Sequence, residues 1–197
     1  MPLQNRVDPF GNIFRTSARG TFMGNRGGAL HNDAREIVRT YKSRRWITCV
    51  LEFRGRHRAI MSPGRYTELF FLDEAVAFAA GHRPCAECRH ERFKAFQRAW
   101  SHNATADEID LDLHAARSGD RHKQPLRSLP NGTFVEIDGC AWLASKSALL
   151  LWSPEGYIGK ISLPRDRLVT VLTPRPIVDC FRRGYQPELH PSAQALA

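Results

Sequence analysis

The chain is expected to fold as an α+β protein. Three observations point there. Helix signals and strand signals are mixed over roughly residues 1–117, short strands punctuated by turns fill residues 118–197, and no internal repeat is present. The two regions are expected to pack as a single domain: a basic region with helices over 1–117 and a small, antiparallel β-rich region over 118–197. A chain of 197 residues, 42% hydrophobic and 25% charged, is long enough to bury its own core.

Residues 1–30 are rich in glycine and poor in periodicity. The run Arg19-Gly-Thr-Phe-Met-Gly-Asn-Arg-Gly-Gly28 reads as an ordered loop or arm. Asn32-Asp33 is a cap for a short helix to about Tyr41, with Ile37, Val38 and Tyr41 on one side. Arg45 to Phe53 alternates as a strand, Arg54-Gly-Arg56 is a turn, and His57 to Met61 is the return strand of a hairpin. After the break at Ser62-Pro-Gly64, a strand from Thr67 to Phe71 leads into Asp73, the cap of a helix that stops at Gly81. Pro84 suits a first helical turn, so Cys85-Ala-Glu-Cys88 opens a helix to about Trp100, with Phe93, Phe96 and Trp100 as its apolar stripe. Thr105-Ala-Asp-Glu108 is a capping box, which starts a helix to about Arg117.

Residues 118–132 form a polar linker. The strands expected beyond it are Thr133–Ile137, Trp142–Leu143, Ala148–Trp152, Tyr157–Leu163 and Leu168–Leu172, with turns at Asp138-Gly139 and Pro154-Glu-Gly156. A last helix runs from Pro176 to Arg183 and ends at Gly184.

The charge is uneven. The chain carries +9, with 29 Lys and Arg against 20 Asp and Glu. Residues 1–65 hold 13 basic and 4 acidic residues, so the whole excess lies in that third, and most of it is arginine. Arginine binds phosphate bidentately and stacks on bases, which makes nucleic acid the expected partner. The candidate contacts are Arg19, Asn25, Arg26, Arg44, Arg45, Trp46, Arg54, Arg56, Arg58 and Arg117. Trp46 could stack on an extruded base or pack in the core. No apolar run approaches the roughly 20 residues of a membrane span, and Met-Pro-Leu-Gln-Asn-Arg does not resemble a signal peptide. The expectation is a cytoplasmic protein without a membrane partner. Five cysteines, an odd number, fit reduced thiols, with Cys140 and Cys180 as small core residues.

Phe70-Phe-Leu-Asp-Glu-Ala75, Ala79-Ala-Gly-His-Arg-Pro-Cys85 and Cys88-Arg89 together resemble the N-terminal zinc domain of Ada-type DNA alkylation-repair proteins. The likeness covers about residues 67–90. It implies a metal-bound module that approaches the DNA backbone, with Cys85 and Cys88 as the second ligand pair. The first pair is implied at about 55–65, where this chain has no cysteine. That excludes a direct four-thiolate carry-over and disfavours phosphotriester repair, because the family's methyl-accepting cysteine belongs to the missing pair. Zinc remains a candidate cofactor if Cys49, His31, His57 or His90 completes the set; the alternative is that the two cysteines only pack a helix start. No nucleotide cofactor is expected, since neither a P-loop nor a dinucleotide fingerprint is present.

Asp110, His114 and Arg117 fall on one stripe of the capped helix, at i, i+4 and i+7. A carboxylate one turn before a histidine can orient it for acid–base work, although such pairs also occur on ordinary surface helices. With His31 behind the glycine-rich run, these are the candidate catalytic residues. The expected activity is base excision, a DNA glycosylase-like hydrolysis of modified or damaged DNA in repair or defence. The alternatives are a non-catalytic regulator or reader of modified DNA, and a nuclease. Convergence of His31, Asp110 and His114 on one pocket would separate the enzyme from the reader.

Overall fold

The computed structural model describes residues 1–55, 59–100, 104–162, 164 and 166–196. Among the described residues, two six-stranded sheets and five α-helices build the α+β fold. The first sheet holds β1 (Gln4–Val7), β2 (Ile13–Arg15), β3 (Phe22–Arg26), β4 (Trp46–Cys49), β5 (Leu69–Phe71) and β6 (Arg83–Pro84), in the order β2-β1-β5-β3-β4-β6. It is mixed: β1 runs parallel to β5 and β4 parallel to β6, while the other neighbours are antiparallel.

The helices follow. α1 (Glu74–Ala79) leaves β5, α2 (His90–Ala99) follows β6, and α3 (Ala106–Ser118) leads to the second sheet. That sheet comprises β7 (Lys123–Pro125), β8 (Phe134–Ile137), β9 (Cys140–Ser145), β10 (Ala148–Ser153), β11 (Gly156–Ile161) and β12 (Leu168–Val171). Its order is β11-β10-β9-β8-β12-β7, all antiparallel. α4 (Arg175–Arg182) and α5 (Pro191–Leu196) close the chain. No helix among the described residues is long and apolar enough to cross a membrane.

Every residue of α1 is buried. One core joins it and β5 to the second sheet, with Leu69, Phe71, Val76, Phe134, Leu143 and Leu150 all inaccessible to water. A second core lies among the helices, where Phe78 stacks on Phe96 at 5.4 Å and meets Tyr185 edge-on at 5.5 Å. The two acidic residues that start α1 clamp it to the rest. Asp73 caps the helix through Val76 N–H (2.9 Å) and accepts from Tyr157 O–H (2.8 Å) and His190 N–H (3.0 Å). Glu74 accepts from Tyr185 O–H and pairs with Arg89 and Arg92, at 2.7, 2.8 and 2.7 Å. These buried carboxylates are tolerable because each oxygen has donors. Tyr157→Phe removes one donor from buried Asp73 and is expected to cost about 2 kcal/mol in denaturant unfolding. A loss indistinguishable from zero would mean that water replaces the hydroxyl.

Several expected elements are found where the sequence puts them: the Asp73-capped helix, the capping-box helix and the strands after residue 132. Others differ. The glycine-rich run is no arm: Phe22–Arg26 is a central strand. Gly24 is required there because a Cβ would meet the Ile47 carbonyl oxygen at 2.2 Å, between two neighbouring strands. The helix from Asn32 to Tyr41 does not form. Asn32 Oδ1 instead accepts from Glu36 N–H, Arg35 adopts φ 61°, and His31 bridges to Ile37. Val38 and Tyr41 stay exposed, so no buried face rewards helix formation. The hairpin is also replaced. β4 pairs with β3 and β6, residues 59–61 carry no strand, and residues 56–58 lie outside the described residues. The 118–132 stretch supplies edge strand β7 rather than a bare linker. Cys140 is exposed at the start of β9, not core, whereas Cys180 is buried and its thiol is pushed up to about 12 by desolvation.

Candidate metal centre and the adjoining basic cleft

The parallel pairing of β4 with β6 brings the cysteines together. Thr48 lies opposite Pro84, and Cys85 N–H donates to the Thr48 carbonyl at 2.9 Å, so the residues that follow each strand meet. The chain then turns instead of starting a helix at Cys85. Glu87 N–H points back to Cys85 Sγ at 3.4 Å, and Arg89 N–H returns to the Cys85 carbonyl. This turn delivers Cys88, and α2 starts only at His90. The helix begins late because these donors serve the sulfur and the turn.

The Sγ atoms of Cys49, Cys85 and Cys88 lie within 4.8 Å of one another and could hold a metal ion. Cys49 and Cys85 are buried and Cys88 is half-buried. Sulfurs around a tetrahedral zinc would sit about 3.8 Å apart, given Zn–S bonds of about 2.3 Å. The donor set is soft, the turn supplies N–H groups to the sulfur, and the sulfurs are near enough to share one ion. The thiols of Cys49 and Cys88 both donate to Cys85 and, with the N–H groups of Cys88 and Glu87, hold its thiol well below the usual range. The same contacts push Cys49 up, the Cys85 bond first and the Cys88 bond next, with burial adding to them. Cys88 is pulled down by Cys49 but pushed up by Cys85 and by burial, and the net direction is up. Zinc would bind these groups as thiolates, so loading the site would release protons. The third sulfur comes from the end of β4, upstream of the 55–65 segment. His57 lies outside the described residues. His90 is exposed, with Nδ1 near the Ala86 carbonyl.

The cysteines border two open clefts. One, of about 560 Å³, is lined by Met23, Cys49, Phe53, Glu68, Cys85 and Cys88. The other, of about 1000 Å³, runs past Cys85 to Asn25, Gly28, Arg44, Arg45 and His114.

The remaining candidate residues are placed as follows. Arg19, Arg44, Arg45 and Arg54 are exposed; Arg45 pairs with equally exposed Asp107 at 3.0 Å. Asn25 is half-buried and its Oδ1 accepts from Gly27 N–H, forming the turn after β3. Arg56 and Arg58 lie outside the described residues. Arg26 and Trp46 are not surface contacts. Arg26 is 1% exposed with its guanidinium 3.9 Å from the Trp46 ring centre, and the Trp46 indole N–H donates to Ser43 O. Arg117 packs against the same ring at 4.2 Å and donates to the Gly81 and Arg44 carbonyls. Arg26 at the end of β3 and Arg117 near the end of α3 both pack on the indole of Trp46, which opens β4.

The catalytic trio does not converge. Asp110 is fully buried in a bidentate pair with Arg83, Nε to Oδ1 at 2.8 Å and Nη2 to Oδ2 at 2.7 Å. It has no route to a sugar and no bond to His114, whose ring is 5.7 Å from Tyr41. His31 is buried elsewhere, with Nδ1 at 2.6 Å from Thr67 Oγ1 and Nε2 at 3.2 Å from the Ser62 carbonyl. Arg83, the residue that claims Asp110, stands inside the Gly-His-Arg-Pro-Cys run, where nothing in the local pattern points to Asp110. His82 in the same run is buried against Phe71 and Trp46, and desolvation first, then Arg26 and Arg117, keep it from taking a proton.

No protein-family model, curated protein or solved structure matches this chain. Fold and site together define an α+β protein with a three-cysteine group able to hold a metal ion beside an arginine-bordered cleft.

Proposed function

We propose that this is a DNA-binding protein organised by zinc, acting as a regulator or as a reader of modified DNA rather than as a base-excising enzyme. The observation that carries the reading is the three-sulfur group at the edge of the cleft that Arg44 and Arg45 border. Cys49, Cys85 and Cys88 would hold the ion. Zinc supplies a cross-link between the ends of β4 and β6 and a local positive charge. Arg44 and Arg45 then stand exposed at the cleft, Arg45 in a solvent-exposed pair with Asp107 that a phosphate could displace, and Arg54 extends the basic surface. Binding is favoured over excision because His31, Asp110 and His114 share no pocket and Asp110 is spent on Arg83.

The test is fluorescence anisotropy with duplex DNA over a range of salt concentrations. Replacing Arg44, Arg45 and Arg54 by Ala should weaken binding uniformly across sequences. It should also reduce the slope of log affinity against log salt by about 1 per arginine that contacts phosphate. An unchanged slope and affinity would remove these arginines from the interface. Release of a free base from a panel of modified duplexes, surviving in Asp110→Asn, would restore the enzyme reading with a different catalytic group.

A further inference from the structure

A third cleft, of about 680 Å³, opens beside Trp46, between the first sheet, the end of α3 and the junction of β12 with α4. Its wall carries Arg26, Arg117, Arg121, His122 and Arg175, with Asp120 as the acidic residue at its rim. The volume suits a small-molecule ligand.

Arg26 is the unusual feature. Buried charges are ordinarily paired with an opposite charge. Arg26 is 1% exposed, yet it makes no ion pair among the described residues. Its Nη2 donates to the Gly11 carbonyl at 2.9 Å, while Nη1 is 3.4 Å from the Thr40 carbonyl and Nε is 3.4 Å from His82 Nε2. Three of its five N–H groups are engaged, all by neutral acceptors. Arg117 lies against the same Trp46 ring, and Asp110, the carboxylate that acts on it from a distance, is already bound to Arg83. Two guanidinium groups therefore crowd one indole without a carboxylate between them. Desolvation and Arg117 draw Arg26 down to about 9, with distant Asp8 opposing, and desolvation draws Arg117 down to about 10. Two buried nitrogens in the same wall, Arg117 Nε and His122 Nε2, have no hydrogen-bond partner. An anion in this cleft would offset the crowded charge and give Arg117 Nε, and His122 Nε2 in the tautomer that carries its proton there, a partner.

We infer that the cleft bounded by Arg26, Arg117, His122 and Arg175 is a binding site for a phosphate-bearing small molecule. Guanidinium forks match phosphate oxygens geometrically, and His122 adds a donor or acceptor. Exposed Arg121 and Arg175 would attract the anion to the entrance. The site does not depend on the metal reading, since none of the three cysteines lines it.

Calorimetry and thermal unfolding of the full chain test this with three probes: inorganic phosphate, a nucleoside monophosphate and the uncharged nucleoside. Phosphate and the monophosphate should raise Tm and bind with millimolar or better affinity, and the nucleoside alone should do neither. Tighter binding of the monophosphate would identify the nucleotide as the fuller ligand; equal binding would identify the phosphate group alone. Arg26→Met should weaken binding by tenfold or more, roughly the value of one charge-assisted bond. If that variant fails to fold, Arg121→Ala with Arg175→Ala, both at exposed positions, decides: an unchanged Tm without ligand and clearly weaker phosphate binding are expected. No response of the unaltered protein to phosphate or monophosphate at about 10 mM, far above a millimolar dissociation constant, overturns the site. So does undiminished affinity in the exposed double variant.

Discussion

Cys85→Ser is expected to abolish stoichiometric zinc and to give the largest loss of stability of any single substitution at the site. Cys85 is the hub of the group: the thiols of Cys49 and Cys88 both donate to it, and its backbone is pinned to Thr48. Zinc binds deprotonated thiolates, and its binding free energy adds to folding free energy, so losing the ion should cost several kcal/mol. The unaltered protein should carry about one equivalent by elemental analysis, and Cys140→Ser should carry the same, because Cys140 is exposed at the start of β9 and remote in the fold from the group. Full zinc content in Cys85→Ser would show that the ion sits elsewhere.

Asp110→Ala is expected to be nearly as damaging, for a structural reason. The substitution strands the Arg83 guanidinium, whose side chain is 6% exposed, without its carboxylate. Breaking one half of a buried ion pair typically costs about 3–5 kcal/mol, a large share of a stability of about 5–15 kcal/mol. Asp110→Asn keeps acceptor capacity through its amide oxygen and should cost less. Replacing both partners together, Arg83→Met with Asp110→Leu, should recover most of the loss, since no charge is then left buried. Equilibrium denaturation reads all three. If Asp110→Ala unfolds at the same denaturant midpoint as the unaltered chain, the pair is not structural and the carboxylate returns as a candidate for chemistry.

Local chemistry was legible in the sequence and distant pairing was not. The Thr105–Glu108 box announces α3, and Asp73 announces α1, because cap and first turn are neighbours in the chain. The turns at Asp138-Gly139 and Pro154-Glu-Gly156 divide the second sheet for the same reason. By contrast, β3 reads as a loop because Gly24 and the glycines flanking the strand weaken strand propensity. Gly24 is there for close contact with Ile47 of β4 and Phe71 of β5, which lie elsewhere in the chain. The stripe Asp110, His114, Arg117 suggested an acid–base pair. Arg83, 27 residues away, outcompetes His114 for the carboxylate because it offers two parallel donors in a buried setting. Cys85 and Cys88 were visible by spacing. Cys49 could be named only as one of several completions, since its place depends on the parallel register of β4 and β6. The arginine excess reads in sequence as one interface, but the structure divides it. Arg44, Arg45 and Arg54 face solvent, whereas Arg26 and Arg117 turn inward around Trp46.

The most direct measurement is the affinity of zinc-loaded protein for duplex DNA as salt is raised. Binding that weakens steeply, with a slope near −0.9 for each phosphate contacted, is expected, and chelation of the metal should lower affinity at every salt concentration. No measurable binding at low salt, or binding indifferent to both salt and chelator, would contradict a zinc-organised DNA-binding surface.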